Sequence, residues 1–246
     1  MRKLFLATFA FFSVAVFSQI NDSGKNIVKT NVTGFLFKNF QVNYERVFTK
    51  TFSLSASYGF IPDGKLPYNS LLPKDTDVNF KEMNLGGSNV TLEARFYLGK
   101  KGYGEGFYLA PYYRYSTYKI SNFTKPIDME ASGVVYDTVD VTFKGDSSAH
   151  SGGLMIGAQW FLGQQDKFVL DAWFIGAHYG KASGNLDGVT DRTLTPIEQQ
   201  QAQEQLDNLD IPVVDYKATV NANGANVKVD GPWAGIRAGV SLGYRF

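Results

Sequence analysis

Over most of the chain apolar and polar residues alternate with a period of two, the spacing of a β-strand whose two faces meet different surroundings. The last strand shows it most plainly. Ala234, Ile236, Ala238, Val240, Leu242, Tyr244 and Phe246 share one face, and Gly235, Arg237, Gly239, Ser241, Gly243 and Arg245 the other. In a first strand over about 27–36, Val28, Thr30, Val32, Gly34 and Leu36 oppose Lys29, Asn31, Thr33 and Phe35. In a second, Phe40, Val42, Tyr44 and Phe48 oppose Gln41, Asn43 and Glu45, with Arg46 on the apolar face near an end where it can snorkel. The third sets Phe52, Leu54, Ala56, Tyr58 and Phe60 against serines and Gly59.

The fourth strand opposes Val90, Leu92, Ala94, Phe96 and Leu98 to Thr91, Glu93, Arg95 and Tyr97. The fifth, 107–119, opposes Phe107, Leu109, Pro111, Tyr113 and Tyr115 to Tyr108, Ala110, Tyr112, Arg114 and Ser116; Pro111 calls for a bulge or a locally weak ladder. The sixth carries Leu154, Ile156, Ala158, Trp160 and Leu162 against Met155, Gly157, Gln159 and Phe161. In the seventh, Phe168, Leu170, Ala172 and Phe174 oppose Asp171, with Val169, Trp173 and Ile175 also on the second face.

Three connections are long and polar, about 61–85, 120–149 and 180–231, and the others are short turns. Within 120–149 the run Val134 to Phe143 is β-like and extends a strand, and 211–230 reads as extended with a turn at Asn221 to Gly224. Thr195-Pro196-Ile197-Glu198 reads as a capping box with Pro at the first helical position. It predicts a short helix over about 196–209, whose Ala202, Leu206 and Leu209 face the barrel mouth.

Composition narrows the class. The 246 residues are 44% hydrophobic and 15% aromatic, with 25 glycines and 14 tyrosines, a membrane-barrel-like balance. The absence of cysteine excludes disulfides and thiol chemistry. Met1-Arg2-Lys3, the apolar run Leu4 to Phe17 and the pair Val16 and Ser18 read as a secretory signal over 1–18, which leaves 19–246 as a single domain. The formal charge of +1 becomes −1 once Arg2 and Lys3 are gone, and nothing in it points to nucleic acid. No segment is long and apolar enough for a membrane helix, so a membrane location requires a closed barrel.

With the N-terminus periplasmic, the connections 49–51, 99–106 and 163–167 fall on the periplasmic side and are all short. Those on the outer side are 37–39 and the three long ones, the pattern of bacterial outer-membrane barrels. The expected fold is therefore all-β: an eight-stranded antiparallel up-and-down transmembrane β-barrel, closed by pairing the last strand with Ile27 to Leu36, with a short helix in the last outer loop.

The chain also carries Phe17-Ser18-Gln19, Lys29-Thr30-Asn31, Tyr44-Glu45-Arg46 and Gly231-Pro232-Trp233-Ala234-Gly235-Ile236-Arg237 before a terminal Phe. In these it resembles the small outer-membrane β-barrel proteins of unknown function common in Bacteroidota. The resemblance implies the fold, the bacterial outer membrane as location, outer-membrane lipid as surroundings and a barrel-assembly machinery that reads the terminal Tyr244 and Phe246. It implies no activity and no cofactor.

An eight-stranded barrel is filled by its own side chains. Glu45, Glu93, Arg95, Arg114, Asp171, Arg237 and Arg245 fall on the inward register, and charges facing a dry interior need partners. A salt-bridged plug is expected, with Glu45 and Glu93 as partners of Arg237 and Arg245; a narrow gated pore is the alternative. A lipid-modifying enzyme would need His150 or His178 with a serine such as Ser147, Ser148 or Ser151. A soluble periplasmic lipocalin-like carrier would need the apolar register to point inward. The reading adopted is a non-enzymatic barrel whose outer loops bind an extracellular ligand or support the envelope.

Three weaker motifs remain. Asp75-Thr76-Asp77-Val78-Asn79 resembles the start of a calcium loop, but Phe80 and Gly86 stand where Gly and Glu are required, so no metal site follows. Gly102-Tyr103-Gly104-Glu105-Gly106 leads into a strand and reads as a turn. Asp137-Thr138-Val139 resembles a short O-glycosylation site.

Overall fold

The computed structural model describes residues 24–68, 82–131, 134–208 and 214–246. The strands are β1 Asn26–Asn31, β2 Phe40–Val47, β3 Phe52–Lys65, β4 Asn84–Tyr97, β5 Gly106–Ala131, β6 Val134–Leu162, β7 Phe168–Thr190, β8 Asp215–Asn221 and β9 Gly224–Arg245, and helix α1 is Pro196–Asp207. Neighbours pair antiparallel from β1 to β7, β7 pairs with β9, and β9 pairs with β1, Ile27 lying opposite Arg245 and Asn31 opposite Ser241. Eight strands thus form a ring closed at the level of β1. β8 is outside this ring. It forms a hairpin with the far part of β9 and takes that strand's free edge beyond the point where β1 ends.

β1 is shorter than the alternation predicts. The Asn31 side chain accepts from the Thr33 hydroxyl at 2.7 Å and from the Gly34 backbone N–H at 3.1 Å. That local bonding competes with the ladder, and the chain turns through a 3-10 segment, Gly34–Phe37, into a left-handed Lys38. A Cβ on Gly34 would lie 2.4 Å from the Asn39 carbonyl oxygen. Gly34→Ala is therefore expected to destabilise the refolded chain by at least ~1 kcal/mol, read as a shift in urea midpoint; an unchanged midpoint would show that the turn relaxes freely.

The long connections are largely strand. β5 and β6 run to 26 and 29 residues, and β7 and β9 to 23 and 22. A tilted crossing of hydrocarbon takes ~9–11 residues. At one end the ring therefore ends in the short connections 48–51, 98–105 and 163–167; at the other, strands project far beyond it. The predicted loops 120–149 and 180–231 become two hairpins, β5–β6 and β8–β9, each continuing a register already set inside the ring. Of the predicted loop 61–85, residues up to 65 and from 84 are strand, and 69–81, with the Asp75–Asn79 motif, lie outside the described residues.

β7 departs from simple alternation through a bulge. Ile156 faces Ile175 while Gly157 faces Trp173, so Phe174 is an extra residue. Both Phe174 and Ile175 end up on the outer face, and His178 is brought to the inner one. The placement of Ile175 beside Trp173 and Asp171 is thus corrected: a bulge inverts the register beyond it, which a strict period of two cannot register. Pro111 introduces no such shift. It stays paired with Leu154, and the β4–β5 ladder is interrupted only across Ala94 and Arg95.

Helix α1 forms as its capping box dictates: Glu198 N–H donates to the Thr195 hydroxyl, and the Thr195 N–H donates to Glu198 Oε2 at 2.7 Å. Arg192 donates to Glu198 and also to Asp137 of β6. Asp137 thus ties the helix entry to the β5–β6 hairpin, while Thr138 donates to Asp128. Ala202 and Leu206 of the helix face the space between the two long hairpins. The helix packs on β8, where Gln203 Oε1 accepts from Val220 N–H and the Tyr216 hydroxyl donates to the Leu206 carbonyl, because the side chain of Gln203 satisfies strand-edge groups there. Leu209 is outside the described residues.

The Arg192 guanidinium, with the Thr195 N–H, holds the Glu198 carboxyl down at about 2 against an ordinary 4.5. A depressed carboxylate contributes stability that is complete above the unfolded value and is lost as pH falls through the folded one. Protease nicking around 192–198 is therefore expected to stay constant above pH ~5 and to rise between pH ~4.5 and ~2. A Glu198→Gln chain would be sensitive throughout; equal resistance of both chains at pH 7 would refute the clamp.

Candidate functional site

The ring turns its large apolar side chains outward and its charged ones inward, where a buried cluster of Tyr97, Tyr108, Ala110, Tyr112, Met155 and Trp173 adjoins them. Outward side chains include Leu54, Leu92, Phe107, Leu154, Leu242 and Tyr244, and Ile236 is 80% exposed. Inward ones include Lys29, Glu45, Ser53, Thr91, Glu93, Arg95, Gln159 and Asp171, all buried. The apolar register that a soluble carrier would turn inward points outward on β2, β3, β4 and β9.

The inner charges meet near the short-turn end, within a few residues of the ends of β2, β4, β5, β6 and β7. Lys29 Nζ donates to Glu45 Oε2, Gln159 Oε1 and Asp171 Oδ2, each at 2.6 Å, which uses all three of its N–H bonds. Arg95 donates through Nε and Nη2 to Glu93 Oε2 at 2.9 and 2.7 Å, and through Nη1 to Asp171 Oδ2 at 2.7 Å and Glu45 Oε2 at 3.2 Å. Glu45 Oε1 accepts from Ser53 and Tyr97 and Asp171 Oδ1 from Tyr108, while Glu93 Oε1 is buried without a hydrogen bond in the protein. Arg95 also lies over the Tyr108 ring, 4.5 Å from its centroid.

Such burial is tolerable because the charges offset one another, although Glu93 Oε1 and Arg237 Nη1 and Nη2 make no hydrogen bond within the protein. Carboxylates and cations removed from water need charge balance and filled hydrogen-bonding positions. Lys29, Arg95 and Arg237 balance Glu45, Glu93 and Asp171, with Arg237 Nη1 3.6 Å from Glu93 Oε1. The Gly102–Gly106 segment is a turn, as expected, and also closes the network: the Gly104 carbonyl accepts from Gln159 Nε2 at 2.6 Å. Its backbone takes positive φ at Gly102, Gly104 and Gly106, and at Gly104 it passes close to Val47 and Phe161.

Five of the seven predicted inward charges are brought together: Glu45, Glu93, Arg95, Asp171 and Arg237. Arg114 is inward but bonds to Ser116 and has no ion pair among the described residues. Arg245 does not reach Glu45 or Glu93. It sits at the rim, donating to the Gly24 carbonyl and stacking over Phe161 at 4.4 Å, because the last strand residue lies level with the short turns and below the carboxylates. Lys29 is the member the sequence reading missed. Its inward register was legible, but its role as the central donor depends on β1 lying between β9 and β2. Gln159, Tyr97 and Tyr108 shared those inward faces without carrying charge.

Toward the other end the lumen changes character. Gln41 Nε2, Asn43 Oδ1, Ser57 Oγ, Asn89 Oδ1, Thr91 Oγ1 and Ser241 Oγ are buried and make no hydrogen bond within the protein. Orphaned polar atoms on several facing strands call for ordered water. The ring thus combines a tightly bonded charged layer near one end with a polar chamber above it.

The two histidines lie on opposite faces of the wall. His150 is exposed, with its Nδ1 at the Tyr113 hydroxyl and its ring 4.6 Å from that of Tyr115. His178 points inward, with Nδ1 3.2 Å from the Tyr112 hydroxyl. Ser151 donates to the Arg114 carbonyl, and no serine–histidine hydrogen bond occurs among the described residues. No group of three or more His, Cys, Asp or Glu residues among those described is arranged to hold a metal ion.

No curated protein matches the chain. Among solved structures it is similar to the translocator domain of autotransporter NalP from Neisseria meningitidis, at 12% identity and a TM-score of 0.30 over 98% of this chain and 97% of that one. The model of a protein family of unknown function, DUF3575, matches residues 6–183. That is well over half of the sequence, and the chain belongs to the DUF3575 family.

Proposed function

We propose that this protein is a bacterial outer-membrane β-barrel that works without catalysis, its lumen plugged by the Lys29–Glu45–Arg95–Asp171 network and its long hairpins directed outward for binding or envelope integrity. One observation carries the reading. A closed ring with Leu54, Leu92, Leu154, Leu242 and other large apolar side chains outside and five buried charges inside is the reverse of a soluble domain. Phe52, Phe96, Phe107, Phe168 and Tyr244 gather near the short-turn end and Phe40, Tyr58, Tyr113 and Tyr179 farther up, as the two aromatic girdles of a spanning barrel would. Outer-membrane lipid is then the surrounding solvent, and Tyr244 and Phe246 supply the terminal signal for the assembly machinery.

Fractionation tests it. The mature chain should leave the membrane pellet only with detergent, and migrate differently on a gel before and after boiling; release by salt or osmotic shock alone would overturn the membrane reading. A narrow pore is the second reading, favoured by the orphaned polar atoms of the upper lumen. Planar-bilayer recordings separate the two, since the plugged barrel is expected to show no conductance steps. Non-catalysis is checked through the histidines: unchanged lipid A from hosts carrying His150→Ala or His178→Ala is expected, and a lost modification would establish an enzyme.

A further inference from the structure

The outer wall of the ring carries a groove of about 560 Å³ that crosses β2, β3, β4 and β5. The strand register explains it. Ala56 lies between Tyr44 and Leu92 across the ladder, and Ala94 lies beside Leu54, so two methyl groups stand among large side chains. Pro111 and Tyr113 of β5 complete the far side. The volume is within the range of small-molecule sites, ~300–1,000 Å³. Among the described residues that line the groove from outside, Arg46 alone is charged.

Arg46 defines the chemistry of the occupant. On a lipid-facing wall a guanidinium is costly unless it reaches the interface or meets an anion. Its Nη1 donates to Asn26 Oδ1 at 2.8 Å, and the Tyr44 hydroxyl donates to the same oxygen at 2.7 Å. Asn26 opens β1, and its N–H donates to the carbonyl of Phe246, the last residue. The guanidinium is thus held at the short-turn rim while Arg46 still lines the groove. That rim is itself cationic. Lys50, Lys100, Lys101 and Lys167 lie on the short turns against Glu105 and Asp166, and Glu105 is already paired with Lys101. An apolar groove that runs to a cation at a basic rim matches an acyl chain joined to a phosphate, the anion whose geometry an arginine fork fits.

We infer that this groove seats one glycerophospholipid of the periplasmic leaflet, with an acyl chain over Ala56 and Ala94 and the phosphate on Arg46. The lysines of the turns favour a head group of net negative charge. The inference rests on the membrane reading, because only a wall that faces lipid offers the groove such a ligand.

Native mass spectrometry of the full chain in a non-ionic detergent micelle, titrated with dioleoyl phosphatidylglycerol, tests it. One lipid per chain is expected to be retained. Ala56→Phe fills the groove from its lipid side and should weaken retention by about tenfold or more. Arg46→Gln should weaken it about tenfold, the size of one hydrogen bond to a charged group. Dioleoyl phosphatidylcholine has the same chains and phosphate but no net charge, and is expected to bind about fivefold more weakly. Leu242→Phe, on the outer wall away from the groove, should leave retention unchanged. Heat-dependent gel migration identical to wild type shows that each variant is folded. Absence of one-to-one retention, or retention unchanged by Ala56→Phe, overturns the site. Retention unchanged by Arg46→Gln overturns the phosphate assignment, and equal retention of the two lipids overturns the anionic head group. A dimer that Ala56→Phe abolishes, with no lipid bound, gives the groove to a second copy of the chain and overturns the lipid. A chain that needs detergent for release yet retains no lipid refutes this inference alone, whereas release without detergent refutes the membrane reading and the inference with it.

Discussion

Replacing Asp171 with Ala is expected to lower the unfolding free energy by about 3–5 kcal/mol, the penalty of leaving buried charge uncompensated. The carboxylate accepts from Lys29, Arg95 and Tyr108 at once, and the side chains of both cations are fully buried with it. Its removal leaves three donors without this acceptor and tips the charge balance of the layer. Urea unfolding of chain refolded into lipid vesicles measures the effect, and a loss below ~1 kcal/mol would mean that water compensates and the layer is no plug. A companion variant isolates the cause. Lys29→Met combined with Asp171→Leu leaves Arg95 and Arg237 against Glu45 and Glu93, and is expected to recover much of the loss, since a buried pair replaced together by apolar groups is often nearly neutral.

The second large effect concerns a half-exposed residue on the outer face of the ring. Leu92 is 53% exposed, halfway along β4 between Ala56 and Tyr113. On a soluble protein an arginine there would change stability by no more than ~0.5 kcal/mol. At the midplane of a bilayer it costs ~2–4 kcal/mol, falling to ~0–1 near the interface. Leu92→Arg is therefore expected to be strongly destabilising in vesicles and Leu98→Arg, next to the short turn, nearly silent. Equal, small effects at both positions would remove the lipid-facing interpretation of the outer wall.

How much of this was legible without coordinates varied with the range of the interaction involved. The faces of β2, β3, β4 and β9 were readable because a strand's alternation is carried by residues two apart, and the Thr195–Glu198 box because its bonds span three. The bulge at Phe174 was not readable. Phe174 and Ile175 are both apolar, and which of them is extra is decided by the partners Gly157 and Gly239 across the ladder. Within the long connections, the β-like run Val134 to Phe143 and the extended 211–230 with its turn at Asn221 to Gly224 are legible and recur in β6, β8 and β9; elsewhere Gly, Ser and Asp dilute the alternation, and the neighbouring strand keeps those segments extended.

The sequence alone determined that eight strands alternate, which face of most of them is apolar, that charge lies on the opposite face, and where the helix begins. These follow from local period and capping chemistry. Only the tertiary structure decided that Lys29 is the centre of the charged layer. Its partners Glu45, Gln159 and Asp171 lie 16, 130 and 142 residues away, and the closure of β1 onto β9 brings them to one level. The same closure sent Arg245 to the rim and left Arg114 apart. Charge on an inner face can be read from alternation, but which charges meet is set by the register of all eight strands together, and no single strand contains it.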